Sequence, residues 1–122
     1  MGNFDASTRG FRPGPLYNYK RGIYQLGNTN LHQIYVNSTE GKQRARALVC
    51  NIDAVDQTVS LYHVPSGSTP GPTHCSFPPT TLQPNETGVP PWEFFLEGGD
   101  SIYAQASAAN VINVQLAIVI ET

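Results

Sequence analysis

From residue 17 onward the chain breaks into short segments in which apolar and polar residues alternate with period two, the pattern of strands with one buried face. No stretch carries apolar residues at helical spacing. Tyr17 to Leu26 and His32 to Asn37 are the first two predicted strands, parted by the turn-forming Gly27-Asn28-Thr29-Asn30. Arg44 to Ile52 sets Ala45, Ala47 and Val49 on one side and Leu48, Cys50 and Ile52 on the other, which predicts cover on both faces of its later half. Thr58 to Val64 alternates cleanly, with Val59 and Leu61 inward and Thr58 and Ser60 toward solvent.

Proline then changes the pattern. Eight of the ten prolines lie between Pro65 and Pro91, and a residue without an N–H cannot donate to a sheet ladder, so loops and edge strands are expected there. A short strand is predicted around Cys75 to Phe77 or Thr80 to Leu82, followed by a turn at Gln83-Pro84-Asn85-Glu86. Trp92 to Leu96 reads as a strand whose Trp92, Phe94 and Phe95 fill the middle of a small core. Glu97-Gly98-Gly99-Asp100 marks a tight turn into a strand that faces Ile102, Ala104 and Ala106 inward. Ser107-Ala108-Ala109-Asn110 is expected to close a hairpin to the last strand, Val111 to Glu121, where Val114, Leu116, Ile118 and Ile120 alternate with polar positions and Ala117 and Val119 suggest partial cover outside. Up to eight strands at such spacing imply an all-β fold, an antiparallel β-sandwich or jelly-roll-like barrel.

Residues 1–16 hold three Gly, two Pro and no periodic pattern, and are read as an extended N-terminal arm ahead of a single domain over 17–122. Two uses fit this arm equally, a disordered leader or a strap whose Phe4, Phe11 and Leu16 dock into grooves of a partner or of the same domain.

Composition narrows the function classes. Only 13% of residues are charged, fewer than in an average soluble domain, so Ser, Thr, Asn, Gln, Gly, Pro and Tyr must cover the surface, a set suited to burial against neighbours. A net charge of -2 argues against direct nucleic-acid binding, which needs clustered cations, although all seven basic residues fall in the first half of the chain. No apolar leader and no stretch long enough to cross a bilayer is found, so neither secretion nor a membrane partner is expected. On that ground Asn37-Ser38-Thr39 and Asn85-Glu86-Thr87 read as turn residues and not as glycosylation acceptors. Two free thiols are expected at Cys50 and Cys75, Cys50 as a small buried hydrophobe, while a bridge between them stays compatible with the sequence.

No catalytic constellation, cofactor motif or metal motif emerges. His32, His63, His74, Cys50 and Cys75 fit no zinc spacing, and His63, in phase with Val59 and Leu61, reads as a core or partly buried histidine. Asp53 with Asp56, and Glu97 with Asp100, are the carboxylate pairs to weigh for glycoside hydrolysis, yet both flank turns where such residues cap backbone N–H groups. Non-enzymatic binding of other proteins is therefore the expectation.

The runs Thr58 to Gly67, Leu82 to Thr87 and Leu96 to Ser107 resemble those of small virion structural proteins of tailed bacteriophages, over roughly Arg44 to Glu121. The proline-rich insert and the arm depart from the plain pattern. The resemblance implies a β-sandwich of the particle, assembled in the host cytoplasm, most specifically a capsid cement or decoration protein bound to the major capsid protein. Trimers at threefold positions are implied too, with Phe4, Phe11, Arg12, Leu16, Tyr17 and Tyr19 as the arm residues that clasp a neighbour. Alternatives are a neck, tail or fibre component, or a carbohydrate- or receptor-binding module that stacks sugars on Tyr and Trp.

Overall fold

A computed structural model describes residues 17–121. Strands β1 (Tyr17–Gln25), β2 (His32–Val36), β3 (Gln43–Asn51) and β4 (Gln57–Val64) lead to a single 3-10 turn at Pro72–His74. Then follow β5 (Cys75–Leu82), β6 (Thr87–Gly88), β7 (Phe94–Leu96), β8 (Ser101–Ala106) and β9 (Ile112–Glu121). They build two sheets in which every pairing is antiparallel: β1-β9-β3 with β6 and β7 both on the far edge of β3, and β2-β8-β4-β5. The pairings nest, β1 with β9, β2 with β8, β3 with β6 and β7, and β4 with β5. That is one long antiparallel ribbon folded over on itself, the topology of a jelly roll.

Period-two alternation selects the faces that meet. From the first sheet, Ala45, Ala47 and Val49 of β3 and Val114, Leu116 and Ile118 of β9 are buried; from the second, Val59 and Leu61 of β4 and Ile102, Ala104 and Ala106 of β8. Register puts a small residue beside a large one: Ala45 is opposite Ile118, Ala47 opposite Leu116, Ala104 opposite Leu61 and Ala106 opposite Val59. The inner layer thereby fills evenly at the ~10 Å separation of stacked sheets. Leu26 and Ile112 close one end of the core, and Phe94 and Leu96 of β7 help to close the other.

Four departures from the alternation have local causes. The proline-rich stretch forms one eight-residue strand, β5, in place of either shorter segment. It lies at a sheet edge and takes one extra residue between Thr80 and Phe77 while β4 steps from Val59 to Leu61, and Pro78 and Pro79 sit in that bulge, where no N–H is required. Ser107 to Asn110 does not close a hairpin, because β8 and β9 belong to different sheets. Instead Ser107 N–H donates to the Thr58 carbonyl and Asn110 N–H to that of Leu26, with Asn110 at φ 62°, so the loop carries the chain across the end of the sandwich. Ser60 is buried and not solvent-facing; its hydroxyl lies 3.5 Å from that of Tyr62. Cover on both faces of β3 is not found either: Leu48 is 40% exposed, Ile52 is exposed and Cys50 is half-buried.

Two buried asparagines fasten the loops. Asn37 Nδ2 donates to the carbonyls of Gly41, Leu96 and Glu97, and its Oδ1 accepts from Thr39 N–H and the Thr39 hydroxyl. Asn51 Nδ2 donates to the carbonyls of Val55 and Leu82, and its Oδ1 accepts from Asp53 N–H. A fully buried Asn37 has no room for a glycan, in keeping with its reading as a turn residue.

Leu116→Ala should cost about 2–5 kcal/mol, because the neighbouring Ala47 cannot expand into the void. Urea unfolding of the purified chain measures it, and a loss under about 1 kcal/mol would contradict this account of the core.

Candidate functional site

The His63–Asp100 pair is the most chemically suggestive arrangement among the described residues. Gly98 and Gly99 turn the chain between β7 and β8, Gly99 at φ 89°. A Cβ on Gly98 would stand 2.7 Å from the Thr39 carbonyl oxygen, so this turn requires glycine. Asp100 then points back into the turn. Its Oδ2 accepts from Glu97 N–H at 3.0 Å and its Oδ1 from Ser66 N–H at 3.0 Å, while His63 Nε2 lies 2.9 Å from Oδ2. Burial pushes the Asp100 carboxyl up, but the hydrogen bonds from His63, Glu97 and Ser66 outweigh it and hold the group below the usual carboxylate range. The His63 ring also meets Phe94 edge-on, with centroids 6.3 Å apart. Asp100 thus ties the β4–β5 loop to the β7–β8 turn.

Of the other carboxylates weighed for catalysis, Asp53 is engaged in the same way. Asp53 accepts from Ala54 N–H and from Gln57 Nε2, both at 2.7 Å, as expected of a turn residue. His74 Nδ1 accepts from Gly71 N–H at 3.2 Å. Among the described residues no group of three His, Cys, Asp or Glu side chains is placed to hold a metal ion. Cys50 and Cys75 are free thiols on different sheets.

The aromatic segment before β7 behaves differently from its expectation. Phe94 is buried, but Trp92 is 79% exposed and Phe95 63% exposed, so they do not fill the core. For Trp92 the cause lies at the sheet edge. β3 takes four steps from Val49 to Ala45 while its partner takes six from Gly88 to Phe94, and the two surplus residues loop out with Pro90, Pro91 and Trp92. Trp92 leaves the strand in this loop, whereas Phe95, next to the inward Phe94 in β7, faces outward by the strand's own alternation. Trp92, Phe95, Pro90, Phe94, His63 and Ser76 line a shallow cleft of about 440 Å³ together with Glu93.

Beside this cleft, the outer face of the first sheet carries further exposed apolar side chains. Ile23, Gln115 and Leu48 share one row across β1, β9 and β3, with the exposed Val89 beyond Leu48. Arg21, Ala117 and Arg46 form the adjacent row. Glu93 lies 3.7 Å from Arg44 Nη1 and 3.8 Å from Arg46 Nε. Such solvent-exposed pairs contribute little to stability. Ile23, Leu48, Val89, Trp92 and Phe95 on and beside one sheet face make an apolar patch studded with arginine, the composition that interface cores favour. The alternation in β3 and β9 hinted at this face through Leu48, Ala117 and Val119, but nothing in the sequence marks those side chains as uncovered. The second sheet is different outside, where Tyr103 and Ser101 hydroxyls donate to Gln33 Oε1 and Gln105 Nε2 to the Thr29 carbonyl.

Of the residues assigned to the arm, Phe4, Phe11, Arg12 and Leu16 lie outside the described residues. Tyr17 and Tyr19 fall in β1, their backbones opposite Glu121 and Val119 of β9.

The sequence matches no protein-family model and no curated protein. Solved structures do share the fold. A chain of the Bacillus endospore appendages, which form disulfide-linked pili, superposes with a TM-score of 0.56 at 12% identity, over 98% of this chain and 97% of that one. A chain from the acid-stable capsid of Helicobacter pylori bacteriophage KHP30 gives 0.55 at 13% identity, over 86% and 87%. A chain of the T13 IBDV viral particle gives 0.50 at 8% identity, over 98% of this chain and 34% of that one. The class is therefore a single β-sandwich jelly roll, a fold shared with subunits of viral particles and of a pilus.

At pH 7, Asp100→Asn should cost about 1.5–3 kcal/mol, since a buried charged acceptor of three donors is lost. Because the folded carboxyl titrates below the unfolded one, its contribution is complete above the unfolded value of about 3.9 and fades as pH falls through the folded value. The gap between wild type and variant in urea unfolding should accordingly narrow in acid; a gap that is constant with pH would refute the assignment. Trp92→Ser, at the exposed bulge, should leave stability within about 0.5 kcal/mol of wild type.

Proposed function

We propose that this chain is a structural subunit of a virus particle, acting without catalysis by packing against other particle proteins. One observation carries the reading: the jelly roll presents an apolar, arginine-bearing sheet face that the described residues leave exposed. The fold likeness to phage capsid and viral-particle chains supports the same reading, as does a surface in which few charges oppose burial. Among the groups considered above for metal binding or catalysis, His63, Asp53 and Asp100 make hydrogen bonds that shape loops, which favours a structural role for these three.

Within that class, the chain is a cement or decoration protein of a tailed bacteriophage that binds across the major capsid protein shell, as a homo-oligomer with a trimer favoured. Added buried area between capsid subunits resists internal pressure in proportion to the contacts it creates. The arm residues Phe4, Phe11, Arg12 and Leu16, with Tyr17 and Tyr19, clasp a neighbouring subunit. A second reading, a component of the neck, tail or fibre, draws support from the pilus chain that superposes over nearly its whole length.

A gel of purified particles separates the two. A cement protein approaches the major capsid protein in molar amount, whereas a tail component is present in few copies. A chain lacking residues 1–16 is expected to fold normally and to bind no particles; full occupancy by the truncated chain would remove the arm from the account. Absence of the protein from purified particles would overturn the whole assignment.

A further inference from the structure

The first sheet's outer face is concave at one place. Ala117 is the small member of its row, and the guanidinium-bearing Arg21 and Arg46 stand on either side of it. Their Cα atoms are two strand spacings apart, about 10 Å. Together with Leu48, Val89 and Gln115 they enclose a dish of about 370 Å³, cationic at its sides and apolar along one wall.

The β3–β4 end of the sandwich has the opposite character. Asp53, Asp56 and Glu86 bring three carboxylates to two adjoining loops, and Ile52 and Val55 stand exposed among them, Val55 at 58%. Asn51 locks both loops: its N–H donates to the Glu86 carbonyl, its own carbonyl accepts from Asn85 N–H, and its side chain fixes Val55 and Asp53. Nearest among the cations along β3 is Arg46, five positions before Asn51. This tip is acidic, apolar at its centre and held in shape before any partner arrives, which lowers the entropic cost of docking.

The geometry points to a head-to-tail contact between copies of this chain, with the Ile52–Asp56 tip and Glu86 of one copy seated in the Arg21–Ala117–Arg46 dish of the next. The contact rests on the reading of the chain as an assembly subunit and specifies how copies join. Charge complementarity decides the pairing, since two dishes would oppose arginines and two tips would oppose carboxylates. The tip points along the strands and the dish faces away from the sheet. The surfaces are thus different patches, and a heterologous contact of this kind closes into a ring or winds into a filament.

Sedimentation of the full-length chain tests it, with Ala117→Trp to fill the dish and Val55→Arg to reverse the tip. Both positions are exposed, and circular dichroism verifies that each variant folds. Wild type should self-associate, less so as salt rises. Each variant should weaken association by on the order of 30-fold or more. Mixing the two should restore a one-to-one heterodimer that grows no further, because each partner keeps one intact patch. A wild-type chain that stays monomeric, variants that associate like wild type, or a mixture no better than its parts would each overturn the contact. Should the chain be monomeric in solution yet present in particles, with Ala117→Trp lost from them, the dish serves another protein and only the head-to-tail contact fails. Absence from particles speaks to the broader assignment instead.

Discussion

The fold depends on one steric arrangement, the placing of alanines beside larger aliphatic residues across the inner faces of both sheets. Ala45 and Ala47 flank Ile118 and Leu116, and Ala104 and Ala106 flank Leu61 and Val59. Larger residues at all eight places would force the sheets apart, and smaller ones would leave voids. With this layer set, the loops at either end need only short spans to close the sandwich. Asn37 and Asn51 supply the polar fastening where hydrophobic packing runs out.

Much of this was legible in the alternation. Val59 and Leu61, the Ile102–Ala106 set and the row from Val114 to Ile118 are where period two assigns them, because regular strands keep their side-chain phase. The reading failed where a strand was interrupted, where adjacent aromatics were all assigned inward, or where a neighbour decided burial. Trp92 looks like a core residue until the surplus residues at the β6–β7 edge loop it out, and Phe95, beside the inward Phe94, faces out by the strand's own alternation. Ser60 looks exposed until Tyr62 stands beside it. The loop after β8 looks like a hairpin because its composition cannot reveal which sheet receives the next strand.

The candidate surface was less legible than the fold for a related reason. Alternation reports which side chains share a face, not whether another layer covers that face, so Leu48 and Ile52 predicted cover that is absent. Basic residues clustered early in the sequence gave no sign that Arg21 and Arg46 would flank one alanine, since β9 lies between their strands and enters the chain some seventy residues later. The His63–Asp100 contact was likewise invisible, joining elements that only the rolled ribbon brings together.

The interrupted edge of β3 has a further bearing on how copies of such a molecule can accumulate. A continuous outer strand would offer a full row of backbone donors and acceptors to any passing extended chain, and growth by added strands has no natural end. Here β6 and β7 cover the two ends of that row, and the proline-bearing bulge bends away between them. Recognition along this margin therefore falls to side chains, which can be selective about their company, and indiscriminate fibril growth is discouraged.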